Sequence, residues 1–124
     1  MSVKDLDDSN FDAETSKGVV LVDFSAEWCG PCRMFGPIFE AASESHDDIV
    51  FGKVDTEAEQ QLAAMARIQS IPMLMIFREG VLLFAQPGAL PAAALEDLIG
   101  QVRNVDMEDV HRQIAEQDAG EASS

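Results

Sequence analysis

Val20-Leu21-Val22-Asp23-Phe24-Ser25-Ala26-Glu27-Trp28-Cys29-Gly30-Pro31-Cys32-Arg33-Met34 is the stretch from which the rest of the chain is read. An apolar run rich in β-branched residues stops, and two cysteines, the only ones in the protein, follow where a helical pattern starts. A strand leading into C-x-x-C at a helix start reads as a dithiol redox site. The N-terminus of a helix has unpaired backbone N–H groups and a partial positive charge, and both favour thiolate over thiol. Cys29 is expected just ahead of that end with its sulfur reaching solvent, and Cys32 one turn in, on the same face and more covered. Gly30 permits a tight approach, and Pro31 is tolerated in a first turn because no intrahelical N–H bond is needed there. Cys29 is then the attacking thiolate and Cys32 the resolving thiol.

A chain of 124 residues points to one domain around a single core, and 47% hydrophobic content is ample for a packed globule. A formal net charge of −15 disfavours nucleic acid and anionic membrane as partners, because both need clustered Lys and Arg. The first eight residues are acidic and hold no apolar signal core, so no secretory peptide is visible. No run approaches the roughly 18 apolar residues of a membrane span. Ile71 to Phe77, the longest apolar stretch, contains a proline and reads as a strand. A lone C-x-x-C pair without an export signal fits a reducing compartment and a catalytic dithiol, and the expected location is cytoplasmic.

Taken in order, Val3 and Leu6 suggest a short edge strand, and Ser9 or Asn10 can cap a short helix to about Ser16 with Phe11 inward. Val19 to Ser25 is apolar except for Asp23, as in a central strand buried on both faces. A helix from about Cys32 to Ser45 contains Pro37, which should kink it. Ile49 to Asp55 is the next strand, with Lys53 in an apolar frame, and Thr56 with Glu59 forms a capping-box pattern opening a helix to about Ala66. Met73–Arg78, the Glu79-Gly80 turn and Val81–Gln86 read as a β-hairpin. Pro91 starts a helix to about Arg103. The order β-α-β-α-β-α-β-β-α predicts an α/β fold, a mixed sheet with helices on both faces. Three segments are expected: a domain over 1–104, a short helical extension over 105–117 capped by Asp106 with Met107, Val110 and Ile114 as its apolar stripe, and a disordered acidic tail over 118–124.

Trp28-Cys29-Gly30-Pro31-Cys32, the lead-in Val22-Asp23-Phe24, Pro37, the Ile71-Pro72 pair and Gly88 together resemble the thioredoxin family in order and spacing, over about Val3 to Arg103. The resemblance implies the thioredoxin fold and a protein disulfide reductase that donates electrons to cytoplasmic oxidoreductases. It implies that Asp23 takes the proton from Cys32 and pairs with Lys53. A carboxylate and an ammonium within apolar strands would each be costly if unpaired. It also implies a cis Ile71–Pro72 peptide facing the cysteines, and a substrate-binding patch of Trp28, Gly30, Pro31, Ile71, Pro72 and Gly88. A separate NADPH-dependent thioredoxin reductase would reset the site and protein disulfides would be the substrates. The protein itself is expected to be a monomer without cofactor or metal.

Two positions depart from the family pattern: Ser25 stands where a bulky aromatic is common, and Met73 where Thr is common. Met73 could shift partner preference or redox poise. His46 and His111 read as surface or capping residues, since two distant histidines and two cysteines do not supply a zinc site. The six methionines read as core filler. Two other functions stay open: an interaction or targeting subunit using the C-terminal extension, and a more oxidising, isomerase-like role.

Overall fold

The computed structural model describes residues 2–122, and side chains up to Ala119. The described residues form β1 (Val3–Asp5), α1 (Phe11–Thr15), β2 (Val19–Ser25), α2 (Gly30–Ser45), β3 (Val50–Asp55), α3 (Gln60–Met65), β4 (Met73–Arg78), β5 (Val81–Pro87), α4 (Ala92–Arg103) and α5 (Met107–Ala122). The strands make one mixed sheet in the order β1-β3-β2-β4-β5. β1, β3 and β2 are parallel, whereas β4 and β5 are antiparallel additions. This is the expected α/β architecture.

Strand β2 lies in the middle of the sheet, and its alternation divides the core. Leu21 faces Phe35 and Phe39 of α2 and Leu95 and Ile99 of α4, and these belong to one cluster. Val20, Val22 and Phe24 face the other way, into a cluster with Leu6, Val54 and Leu62 that Phe11 of α1 completes. Two residues beyond Leu21, Asp23 shares its side of the strand, so the carboxyl points to the α2 face. Edge-to-face contact of Phe39 with Phe51 (ring centroids 5.2 Å) and the nearby Phe35 ring fix α2 on the sheet.

Local details differ from the sequence reading. Neither Ser9 nor Asn10 caps α1 with its side chain; Asp7 Oδ1 instead accepts the backbone N–H groups of Ser9 and Asn10. The Thr56/Glu59 capping box does not form. Asp55 Oδ1 takes the N–H groups of Glu57 and Ala58, and α3 is correspondingly short. The hairpin turn is as expected: Glu79 and Gly80 both have positive φ (54° and 80°), matching the twist of a two-residue loop.

The C-terminal segment is more ordered than its composition suggests. Helix α5 runs through Ala122 rather than ending near 117, and residues 123–124 of the expected tail lie outside the described residues. Asp106 does cap it, accepting the N–H of Asp109 at 3.2 Å. Met107 is buried, and Val110 and Ile114 are half-buried along the same stripe. Arg78 fastens the preceding connection by donating from Nη1 to the carbonyls of Val102, Arg103 and Val105. These include carbonyls at the end of α4, where a cation is favoured. His111 bonds Glu79 at the hairpin turn (3.1 Å).

Candidate active site

The dithiol sits where the central strand hands over to the longest interior helix. Cys29 is the N-cap of α2, with extended backbone (φ −87°, ψ 117°), and its Sγ accepts the backbone N–H of Cys32 at 3.2 Å. A sulfur at that position satisfies one of the donors a helix start leaves open. Gly30 and Pro31 are the first two residues of the helix, so α2 begins two residues earlier than its hydrophobic pattern suggests. Cys29 and Cys32 are joined in a disulfide. Contrary to the expected asymmetry, both residues are equally buried, at 5% exposure, the disulfide tying their sulfurs together. Hydrogen bonding, rather than exposure, distinguishes them.

That loop comes from the other side of the sheet. The Ile71–Pro72 peptide is cis, and the Ile71 carbonyl oxygen lies 3.8 Å from Cys29 Sγ. Gly88 adjoins it, with its N–H donating to the Pro72 carbonyl at 2.8 Å and its φ at +100°, a conformation that side chains disfavour. A Cβ at Gly30 would meet nothing within 4 Å and its φ is not positive, so the fold itself makes no demand for glycine there. Trp28 is 66% exposed, and its indole N–H donates to Glu57 at 2.6 Å. The structure thus brings Cys29, Cys32, Ile71, Pro72 and Gly88 together, with Trp28, Gly30 and Pro31 exposed beside them. Glu57 escaped the sequence reading, because a carboxylate in an acidic loop carries no local signal of its partner.

Beneath this surface, Asp23 is almost wholly removed from solvent, with 3% exposure, and its Oδ1 has no hydrogen-bond partner. Burial pushes its carboxyl up to about 7, while the charge of Lys53 acts in the opposite direction. Lys53 is paired with Asp23 in strand register, but its ammonium does not make the ion pair the sequence led us to expect. Its Nζ lies 3.8 Å from Asp5 Oδ1, and the side chain is 56% exposed rather than interior. The edge-strand carboxylate is open to water and offers the cation a partner without burying it. Asp23 faces a cleft of about 410 Å³ lined also by Asp5, Arg33, Gly36, Glu40 and Lys53. A second cleft of about 390 Å³ reaches Cys32 and shares Asp5, Arg33 and Lys53 with the first. Clefts this polar and roomy admit water.

Among the described residues no group of three or more His, Cys, Asp or Glu side chains is arranged to hold a metal ion. No helix among them is long and apolar enough to cross a membrane. His46 lies at the end of α2, bonding Glu96 and Arg103, while His111 is on α5. Of the methionines, Met34 and Met65 are exposed (70% and 74%), so the core-filler expectation does not hold for them.

The family model for thioredoxin matches residues 2–101. A Streptomyces coelicolor protein named "Putative thioredoxin 2" is 57% identical over 119 residues, covering 95% of this chain and 89% of its own. The thioredoxin of Bacillus subtilis is 37% identical over 102 residues, covering 82% of this chain and 98% of its own. Among solved structures, a single-substitution mutant of the thioredoxin from Halobacterium salinarum superposes with a TM-score of 0.78 at 32% identity, covering 85% of this chain and 94% of that one. With its Cys29–Cys32 disulfide at the start of α2, this chain belongs to the thioredoxin family and is a protein disulfide oxidoreductase.

Proposed function

We propose that Cys29 is the attacking thiolate and Cys32 the resolving thiol of a general reductase for protein disulfides. The single observation that carries this is the N–H of Cys32 directed at Cys29 Sγ, which stabilises negative charge on the first sulfur alone. Cys29 attacks a substrate sulfur, forming a mixed disulfide and releasing the other substrate sulfur as a thiol. Cys32 loses its proton and attacks Cys29 Sγ, which closes the Cys29–Cys32 bond and expels the second substrate thiol. Two electrons have then passed to the substrate. Asp23 receives the proton of Cys32, by way of the adjoining clefts that open on the two residues, and Lys53 tunes it electrostatically. A carboxyl that titrates near neutrality can both take and give a proton at cellular pH.

Substrate chains dock on Trp28, Gly30, Pro31, Ile71, Pro72 and Gly88. The open space over Gly30 lets a foreign backbone come close, and the Ile71 carbonyl beside the sulfur supplies a main-chain acceptor. Thioredoxins work with a thioredoxin reductase, and an NADPH-dependent one is the electron source proposed here. The proposed setting is the cytoplasm, the chain acting as a monomer without a further cofactor. Residues 1–104 form the working domain. Residues 105–122 are an appendage whose helix α5 is held by Met107, by Arg78 and by the His111–Glu79 contact.

Trapping tests the assignment of the thiols. Cys32→Ser should accumulate a mixed disulfide with a protein substrate through Cys29, and Cys29→Ser should accumulate none; the reverse pattern would exchange their roles. Equilibration against glutathione tests the direction of transfer. A potential below the glutaredoxin range of roughly −200 to −230 mV supports a reductase, and a higher one would favour the isomerase-like role.

A further inference from the structure

Asp5, Lys53 and Asp23 form a row across three neighbouring strands: Asp5 on β1 pairs in register with Lys53 on β3, and Lys53 pairs with Asp23 on β2. Residues paired in parallel strands share a face and stand about 4.8 Å apart from strand to strand. One ammonium therefore stands between two carboxylates of opposite character. The Asp5 side chain is 88% exposed, whereas Asp23 is buried with Oδ1 unpartnered. Lys53 Nζ is on the Asp5 side of the row, 3.8 Å from Oδ1. All three residues line the cleft of about 410 Å³, so the ammonium and the buried carboxyl border a common space.

We propose that Asp5 is a positioning residue that competes with Asp23 for the Lys53 ammonium, holding it while Asp23 is protonated and yielding it when Asp23 is ionised. The physical reason is the contrast in surroundings. An ion pair open to water is weak, and the same charges in a desolvated setting attract far more strongly. While Asp23 is a neutral acid it exerts little pull, and the exposed carboxylate of Asp5 is sufficient to keep Lys53. Once Asp23 loses its proton, the unscreened charge draws the ammonium inward. Arg33 and Glu40, the other charged side chains lining the cleft, come from α2 and are of opposite sign. In turnover, the proton leaving Cys32 would neutralise Asp23 and send Lys53 back to Asp5. That link rests on the proposed role of Asp23 as proton acceptor; the competition itself does not.

The test is the ionisation of Asp23, followed by carboxyl carbon NMR in the full-length wild type, Asp5→Asn, Lys53→Met and the double variant. Asp5→Asn should move the Asp23 midpoint downward by about half a pH unit or more, because Lys53 is no longer contested. In the Lys53→Met background the same substitution should move it less than half as far. An equal shift in both backgrounds would mean that Asp5 acts only through its own field, and no shift, or an upward one, would mean that it does not hold Lys53; either overturns the proposal. The pH profile of disulfide reduction by Asp5→Asn separates the two readings. A moved NMR midpoint with an unmoved rate profile would leave the competition standing and remove Asp23 from the proton transfer.

Discussion

Cys29 Sγ and the backbone N–H of Cys32 are 3.2 Å apart, which makes the first sulfur the cap of α2 while the second receives no such bond. In the reduced protein the two thiols should therefore react unequally. Brief treatment with iodoacetamide near pH 7, read by peptide mass spectrometry, should label Cys29 at least about ten times faster than Cys32. Comparable labelling of both would show that the helix start does not discriminate between them.

Asp23 makes stability depend on pH in a direction opposite to most carboxylates. Its native value of about 7 lies above the unfolded reference of 3.8, so between these values the native state holds a proton that the unfolded chain has lost. Stability attributable to this group is full below the unfolded value and falls as pH rises, until the loss levels off above about 7. Asp23→Asn removes the loss. Denaturant unfolding should find the variant more stable than the wild type at pH 8, by at most on the order of 4 kcal/mol, and equal to it below about pH 4. The same variant should resolve the mixed disulfide at least about tenfold more slowly, if the carboxylate serves as base.

Gly88 combines a φ of +100° with a hydrogen bond to the Pro72 carbonyl. Its would-be Cβ has open space, so Gly88→Ala meets no clash and suffers only from backbone conformation. Thermal unfolding should show a loss of about 1–3 kcal/mol. Substrate KM should rise, because the loop carrying Ile71 and Pro72 is no longer held in place. An unchanged KM would detach Gly88 from the docking surface.

Arg78 tests how the appended helix is attached. Three carbonyls converge on its Nη1. Arg78→Met keeps the apolar stem and leaves those oxygens without their charged donor, which should lower stability by about 1.5–3 kcal/mol. Hydrogen exchange should rise in α5 more than in β2. Uniform acceleration across the chain would instead place Arg78 in the global core.

Much of this protein follows from its sequence because the signals are local and periodic. The run Val19–Ser25, apolar but for Asp23, could bury both faces only as a central strand, and Glu79-Gly80 could serve only as a tight turn. Trp28-Cys29-Gly30-Pro31-Cys32 announced the chemistry because a C-x-x-C pair at a helix start has few other uses. Helix boundaries were less legible. Capping is settled by whichever side chain reaches the free N–H groups, and at α1 and α3 that is Asp7 and Asp55, not the residues of the local motif. Composition also understated α5, whose Glu108, Glu116 and Asp118 face water while Met107, Val110 and Ile114 find cover.

Tertiary structure alone decided the partnerships. Pairing of Lys53 with Asp5 depends on which strand lies at the edge and in what register, and no period in the sequence encodes that. The contact of Ile71 with Cys29, forty-two residues away, likewise arises only when β4 pairs antiparallel with β2 and brings its preceding loop over the start of α2. Residue types and their periods determined which side chains could carry redox chemistry; strand order and burial determined which charge each of them meets.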